Sequence, residues 1–120
     1  MAVENRNEFC IMEDDELYYR NFRFPGSERH EIFEGRTGNR NKSIEDGLVI
    51  FTTPEIHRTG KHSIHLAPKE WIWLKEKAEK RWCEVYNKTP EQFRKRYYKN
   101  YLQDDLIVKA EENKIVIERK

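Results

Sequence analysis

All four histidines of this 120-residue chain lie within one short stretch, and this stretch holds the residues best suited to chemistry. They are His30, His57, His62 and His65, with asparagines, arginines and glycines among them. Neutral imidazole is a common metal ligand, and a bound ion can polarise a phosphodiester and stabilise its leaving alkoxide. Lone histidines seldom ligate anything, so spacing alone leaves both a metal site and unrelated histidines open.

Two short strands are predicted to position part of this stretch. The segment 29–33, RHEIF, is a strand candidate that contains His30. Glycines, asparagines and a serine over residues 35–47 predict a loop. The β-branched and aromatic run GLVIFTT that follows, bounded by Gly47 and Pro54, predicts a second strand.

A short helix is predicted to follow the second strand and to carry His57. Thr53 and Pro54 are suited to an N-cap and a first helical position, and Gly60 is expected to end the helix. Two imidazoles, one from a strand and one from a helix, can hold a single divalent ion whose other positions are filled by water. The order of elements therefore favours His30 and His57 as a ligand pair.

Two further helices and a hairpin are predicted in the rest of the chain. Pro68 opens the first helix, whose apolar residues recur at intervals of three and four: Trp71, Leu74, Ala78, Trp82 and Val85. Thr89 and Gln92 fit a capping box for the second helix, which is expected to reach about Asn100 with Phe93, Tyr97 and Tyr101 facing inward. The runs LIVKA and KIVIE predict a terminal hairpin.

The second of these helices alternates cations with aromatic residues. Its outer face would present Arg94, Lys95 and Arg96, with Lys99 close by. Such a surface suits the DNA backbone, with salt-dependent affinity and little sequence discrimination. A solvated face of an ordinary amphipathic helix accounts for the same pattern.

Composition bounds the class of protein. At 120 residues one domain is expected, and with 38% charged and 37% apolar residues its core must rely on aromatic side chains. The net charge of +1 hides an acidic N-terminal segment, which could contact a basic partner protein, and a basic excess over residues 80–100. Two isolated cysteines argue against a disulfide framework or zinc knuckle. Because neither a signal peptide nor a membrane span is apparent, we expect a cytoplasmic protein with no membrane contact.

The order of motifs from Glu28 to Leu102 resembles a family of small HNH nucleases encoded by phages and prophages. The resemblance covers about three-fifths of the chain and rests on HEIFEG at 30–35, Asn39-Arg40, Ser43, GLVIF at 47–51, PEIH at 54–57, SIH at 63–65, LKEKAEKRW at 74–82 and KNYL at 99–102. It implies an HNH ββα-metal finger followed by two helices. With the C-terminal β-hairpin predicted from the strand pattern, the expected fold class is α+β. The corresponding divisions are an acidic segment over 1–27, the metal core over 28–66, a helical extension over 67–102 and the hairpin over 103–120.

The resemblance also implies metal-dependent hydrolysis of DNA. His30 and His57 would hold a divalent ion such as Mg²⁺ or Mn²⁺, and His65 would complete the set. Glu31 takes the general-base position, although a carboxyl with an ordinary pKa near 4.3 is a weaker base at neutral pH than imidazole. An alternative register would make His30 the base and Glu28 the metal ligand.

Two more residues gain roles from the resemblance. Asn39 matches the asparagine that orients the base, and Arg40 would steady a phosphate; a turn-forming asparagine and a solvated loop charge are their simpler interpretations. The family pattern is broken where Glu31 replaces a histidine and Ile56 replaces the first of two paired histidines. These departures favour a second hypothesis: a catalytically degenerate finger that binds nucleic acid or a partner protein, as an inhibitor or accessory factor, without cleaving.

Overall fold

The protein has a small α+β fold with two separate two-stranded antiparallel sheets and several helices. The computed structural model describes residues 8–35, 38–102, 106–111 and 114–119, the last two ranges by their backbone pairing alone. The chain divides into two compact units, Met1–Ile72 and Trp73–Lys120. This differs from the single domain that its length predicts. Within the described ranges, no helix combines the length and apolar character needed to cross a membrane.

Both strands predicted around the histidines are confirmed. Strand β1, Glu28–Glu31, pairs antiparallel with β2, Val49–Thr52, and His30 lies opposite Ile50. Every residue of β2 is buried, as expected of a continuous apolar run without polar alternation. The sheet is thus fixed to the core of the first unit through β2.

Helix α1, Asn39–Asp46, lies where the loop over residues 35–47 was predicted, and that prediction is wrong. Gly38 and Gly47 bound the helix with φ of 83° and 78°, a left-handed conformation that costs glycine little. The helix has no apolar period, but its Ser43 is fully buried. The Ser43 hydroxyl donates to the Leu48 carbonyl at 2.6 Å and accepts from the Phe33 N–H at 3.3 Å, so a polar side chain fixes this helix to the segments beside both strands.

The described part of the acidic N-terminal segment packs along β2. The backbone N–H groups and carbonyls of Arg20 and Phe51 exchange hydrogen bonds of 2.8 and 2.9 Å. The Cys10 thiol donates to the Val49 carbonyl at 3.0 Å. This segment therefore covers the edge of β2 that faces away from β1, and it belongs to the same compact unit.

The short helix predicted after β2 is present as a π-helix, Glu55–Thr59. Its predicted start is confirmed, because the Thr53 hydroxyl accepts from the Ile56 N–H at 3.2 Å. Its predicted end is also confirmed, because the Gly60 N–H donates to the Glu55 carbonyl at 2.9 Å. A Cβ at Gly60 would lie 2.7 Å from that carbonyl oxygen, so this closure requires glycine.

The two helices and the hairpin predicted after Pro68 are confirmed. Helix α2 spans Ile72–Tyr86 after a 3₁₀ turn at Pro68–Trp71, and α3 spans Pro90–Tyr97. Strand β3, Leu106–Glu111, pairs antiparallel with β4, Lys114–Arg119. Both capping-box hydrogen bonds between Thr89 and Gln92 are present.

Two details of the helices differ from prediction. Helix α3 ends before Asn100, because Tyr98 takes a left-handed conformation with φ 73°. Val85 is 41% exposed although its spacing predicts burial, and Tyr101, also predicted to face inward, is only partly buried. The remaining predicted inward residues of the two helices are buried: Trp71, Leu74, Ala78, Trp82, Phe93 and Tyr97.

Glu79 of α2 is a fully buried carboxylate. One of its oxygens accepts from the Tyr101 N–H at 2.6 Å. When the Asn100 amide is oriented with its nitrogen toward Glu79, it donates to the other oxygen of the Glu79 carboxylate at 2.8 Å. Burial raises the pKa of Glu79 to about 7, against the lowering effect of hydrogen bonds from the backbone of Tyr101 and Leu102. The carboxylate therefore joins the segment after α3 to α2 but is costly to ionise.

We expect the free energy of unfolding to decrease as the pH rises from about 4.5 to about 7, because the raised pKa means that the folded chain retains the Glu79 proton longer than the unfolded chain. The decrease should be roughly 3–3.5 kcal/mol, because about 2.5 pKa units separate the two values and each corresponds to about 1.4 kcal/mol, and it should level off at higher pH. Urea denaturation on either side of this range measures it. Glu79→Gln should remove the slope, and the exposed control Glu91→Gln should keep it; a slope that persists in Glu79→Gln would contradict the assignment.

Candidate metal centre

His30, His57 and His65 lie together in the first unit. One ring nitrogen of each lies within 4.8 Å of those of the other two. The ring centres of the three imidazoles are 4.7 to 5.4 Å apart. His62 lies outside this histidine cluster, with an exposed side chain 3.1 Å from the carboxylate of Glu70. The structure thus brings together all three histidines that the sequence predicts as ligands.

Backbone hydrogen bonds account for this convergence. The β1–β2 pairing brings His30 beside β2, and β2 leads directly into the π-helix that carries His57. The Ile64 N–H then donates to the Ile56 carbonyl at 2.8 Å, and the His65 N–H donates to the His57 carbonyl at 3.1 Å. The returning chain is thereby aligned with the π-helix, and the Nε2 atoms of His57 and His65 come to lie 3.1 Å apart.

Glu28 fixes the orientation of His57. Its Oε1 lies 2.9 Å from His57 Nδ1, and the Arg58 guanidinium donates to both of its oxygens at 2.9 and 2.8 Å. The Arg58 hydrogen bonds, followed by that of His57, lower the pKa of Glu28 to about 2. An ionised Glu28 accepts a hydrogen bond from the Nδ1–H of His57, so the Nε2 lone pair of His57 is directed at the cluster. Histidine ligands of metals in proteins are generally held by such a carboxylate.

The cluster is closed on one side and open on the other. The side chain of His30 is 3% exposed and that of His57 is 13% exposed. The side chains of His65 and Glu34 are 41% and 43% exposed. A solute can therefore reach the cluster from the side of His65 and Glu34.

The donor set fits a transition metal. Atoms bound to one tetrahedral zinc ion lie about 3.3 Å apart, since each zinc–nitrogen bond is about 2.0–2.1 Å long. The Nε2 atoms of His57 and His65 already have that spacing. The other two pairs of ring nitrogens lie at most 4.8 Å apart, which is roughly 1.5 Å more than the tetrahedral spacing. Small side-chain movements can close that difference. Three imidazoles suit Zn²⁺, Ni²⁺ or Co²⁺ better than Mg²⁺, which prefers oxygen ligands.

The structure does not place Glu31 in the histidine cluster. Successive side chains of a strand point to opposite faces, so Glu31 and His30 diverge. The Glu31 carboxylate instead forms ion pairs with Arg29 at 2.9 Å and with Arg40 at 3.1 Å. Arg40, expected to steady a phosphate, is exposed and holds this carboxylate. Asn39 is buried as the first residue of α1.

The basic residues predicted to contact DNA lie on or just after α3, in the second unit. Arg94 lies 3.9 Å from the Glu91 carboxylate, an exposed pair of little energetic weight. The Arg96 guanidinium lies 5.8 Å from the ring centre of Tyr97, and the Lys99 ammonium lies 5.2 Å from that of Tyr101. Lys95 is exposed. Cations and aromatic rings are thus combined on this helix, as its sequence predicts.

Sequence reasoning missed Glu34 and the orienting role of Glu28. Glu28 was weighed only as a metal ligand, although its position two residues before His30 places both side chains on one face of β1. Glu34 was not considered. Its Oε2 lies 3.8 Å from His30 Nδ1 and 4.0 Å from His65 Nε2. The only sequence signal for Glu34 was its closeness to His30 along the chain.

Comparison of the chain with protein-family models, curated proteins and solved structures found no match.

Replacing Glu28 with Gln should weaken zinc binding at least about tenfold, in line with the effect of losing a carboxylate that holds a histidine ligand. The amide is neutral, so it no longer favours the tautomer of His57 whose Nε2 lone pair is available. Isothermal titration with Zn²⁺ measures the change. Glu70→Gln is the matched control, because Glu70 pairs with His62 outside the cluster. Equal affinities of wild type and Glu28→Gln would contradict the orienting role.

Proposed function

We propose that this protein is a metal-dependent endonuclease of the HNH type, which hydrolyses phosphodiester bonds of DNA. The observation that carries the proposal is the convergence of His30, His57 and His65 from a strand, a helical turn and the segment after it. The order of β1, β2 and the π-helix is that of a ββα-metal finger, with α1 added between the two strands, and the motifs of the chain resemble that family in the same order. The second sheet and helices α2 and α3 correspond to the expected additions.

Some residues of the cluster would hold the ion, and others border the open side from which a substrate would enter. When bound, a divalent ion supplies Lewis-acid polarisation of the phosphodiester and stabilisation of the leaving oxygen. His30 is held in the buried wall of the cluster, and Glu28 sets the tautomer and direction of His57. The phosphodiester would approach from the open side, where His65 and Glu34 are exposed.

One observation favours the alternative, a finger that binds nucleic acid or a partner protein without cleavage. By resemblance, Glu31 occupies the general-base position, but its carboxylate is held by Arg29 and Arg40. A carboxylate so paired has less access to a proton on an attacking water. Metal binding without hydrolysis would support this alternative over the nuclease.

We expect the purified protein to nick supercoiled plasmid DNA when supplied with Ni²⁺, Co²⁺, Zn²⁺ or Mn²⁺, and to stop when a chelator is added. His57→Ala should reduce nicking at least about a hundredfold, because it removes a ligand of an ion that supplies several kcal/mol of transition-state stabilisation. Agarose electrophoresis of the plasmid over time measures the rate.

His62→Ala is the matched control for this test, since His62 lies outside the cluster and pairs with an exposed carboxylate. It should nick at the wild-type rate. Full activity in His57→Ala, or none in the wild type with any of these ions, would overturn the nuclease proposal.

The cationic residues of α3 should contribute to DNA affinity through phosphate contacts. Replacing Arg94, Lys95 and Lys99 together with Gln should weaken binding and reduce the slope of log affinity against log salt concentration by up to about 0.9 per lost contact. Fluorescence anisotropy with a labelled duplex at several salt concentrations measures the slope. A double change of the exposed Lys61 and Lys69 serves as the control. An unchanged slope in the triple variant would exclude this helix from the interface.

A further inference from the structure

Glu34 lies on the open side of the histidine cluster, with a side chain that is 43% exposed. Its Oε2 lies 3.8 Å from His30 Nδ1 and 4.0 Å from His65 Nε2. Both distances are too long for direct hydrogen bonds. Two atoms bound to one tetrahedral ion lie about 3.3 Å apart, so both distances exceed this spacing by roughly 0.5–0.7 Å, and a small rotation of the Glu34 side chain would bring its carboxylate within reach of the ion.

The backbone that leads to Glu34 is held in place by buried contacts. Ile32 and Phe33 are each 1% exposed. The Ile32 N–H donates to the Leu48 carbonyl at 3.1 Å, and the Phe33 N–H donates to the Ser43 hydroxyl at 3.3 Å. The position of Glu34 beside His30 is therefore set by the core, whereas its carboxylate, on the exposed side, can rotate toward an ion.

We infer that Glu34 supplies a fourth protein ligand to the metal, giving a set of three imidazoles and one carboxylate. The inference rests on the proposed metal centre and extends it to the coordination position on the solvent side. Four protein ligands close a tetrahedral site, whereas a catalytic ion keeps a position open for substrate. Glu34 is the one exposed carboxylate of this set, so it is the ligand that an incoming phosphate anion would displace. An anionic ligand from the protein would thus compete with the anionic substrate for one position.

Titration with Co²⁺ tests whether Glu34 is a metal ligand, because the visible absorption of bound Co²⁺ reports coordination number and ligand type. Wild type should bind Co²⁺ and give the intense visible bands of a four-coordinate site. Glu34→Gln should bind at least about tenfold more weakly, with altered bands, because a neutral amide is a poor ligand. Glu70→Gln is the matched control, because Glu70 is an exposed glutamate that pairs with His62 outside the cluster, and it should match the wild type.

The outcomes separate the two proposals. If Glu34→Gln binds Co²⁺ with the affinity and bands of the wild type, Glu34 is not a ligand and the inference is overturned. If wild type binds neither Co²⁺ nor Zn²⁺, the metal centre and the inference both fall. If Co²⁺ binding depends on Glu34 but wild type cleaves no DNA, the inference is supported and the nuclease proposal is overturned. Thermal unfolding of each variant without metal verifies that Glu34→Gln remains folded.

Discussion

Two sets of backbone hydrogen bonds govern the arrangement of the first unit. The β1–β2 ladder fixes where His30 lies relative to the start of the π-helix. The bonds from the N–H groups of Ile64 and His65 to the carbonyls of Ile56 and His57 fix the returning chain against that helix. Since these bonds join main-chain atoms, the positions of the three histidine Cα atoms do not depend on the chemistry of their own side chains. The imidazoles are thereby preorganised as a group before any ligand is considered.

The three glutamates on and just after β1 differ in the groups that hold their carboxylates. Glu28 is saturated by Arg58 and His57, and this pairing makes it an orienting group with a strongly lowered pKa. Glu31 is neutralised by two arginines on the opposite face of the strand. Glu34 has no comparable cation at hydrogen-bonding distance among the ion pairs formed by the described residues, and it faces the open side. Three glutamates within seven residues thus have three different environments, set by strand alternation and by arginine placement.

Local signals in the sequence were enough to predict most elements. The apolar run of β2, the Thr53 cap and the capping box at Thr89 each depend on a few adjacent residues, and each is present. Helix α1 escaped prediction because its polar sequence has no apolar stripe, and buried polar groups such as the Ser43 hydroxyl help to hold it. The histidine cluster was predicted from residue types and motif order. The roles of Glu28 and Glu34 depend on distances between side chains, which no one-dimensional pattern contains. Glu31 was given a place in the site by resemblance, although strand alternation already indicated the opposite face.

The segment around Arg20 has a consequence for the behaviour of the chain in solution. Central strand β2 is bonded to β1 on one edge and to this segment on the other, through Phe51. An uncovered edge on a strand rich in β-branched and aromatic residues is a template for another chain, and native proteins shield such edges. The acidic N-terminal segment therefore also protects this edge of β2 from pairing with strands of other molecules. Trimming the chain as far as Arg20 would expose VIFT to neighbouring molecules and favour aggregation, even with every residue of the histidine cluster retained.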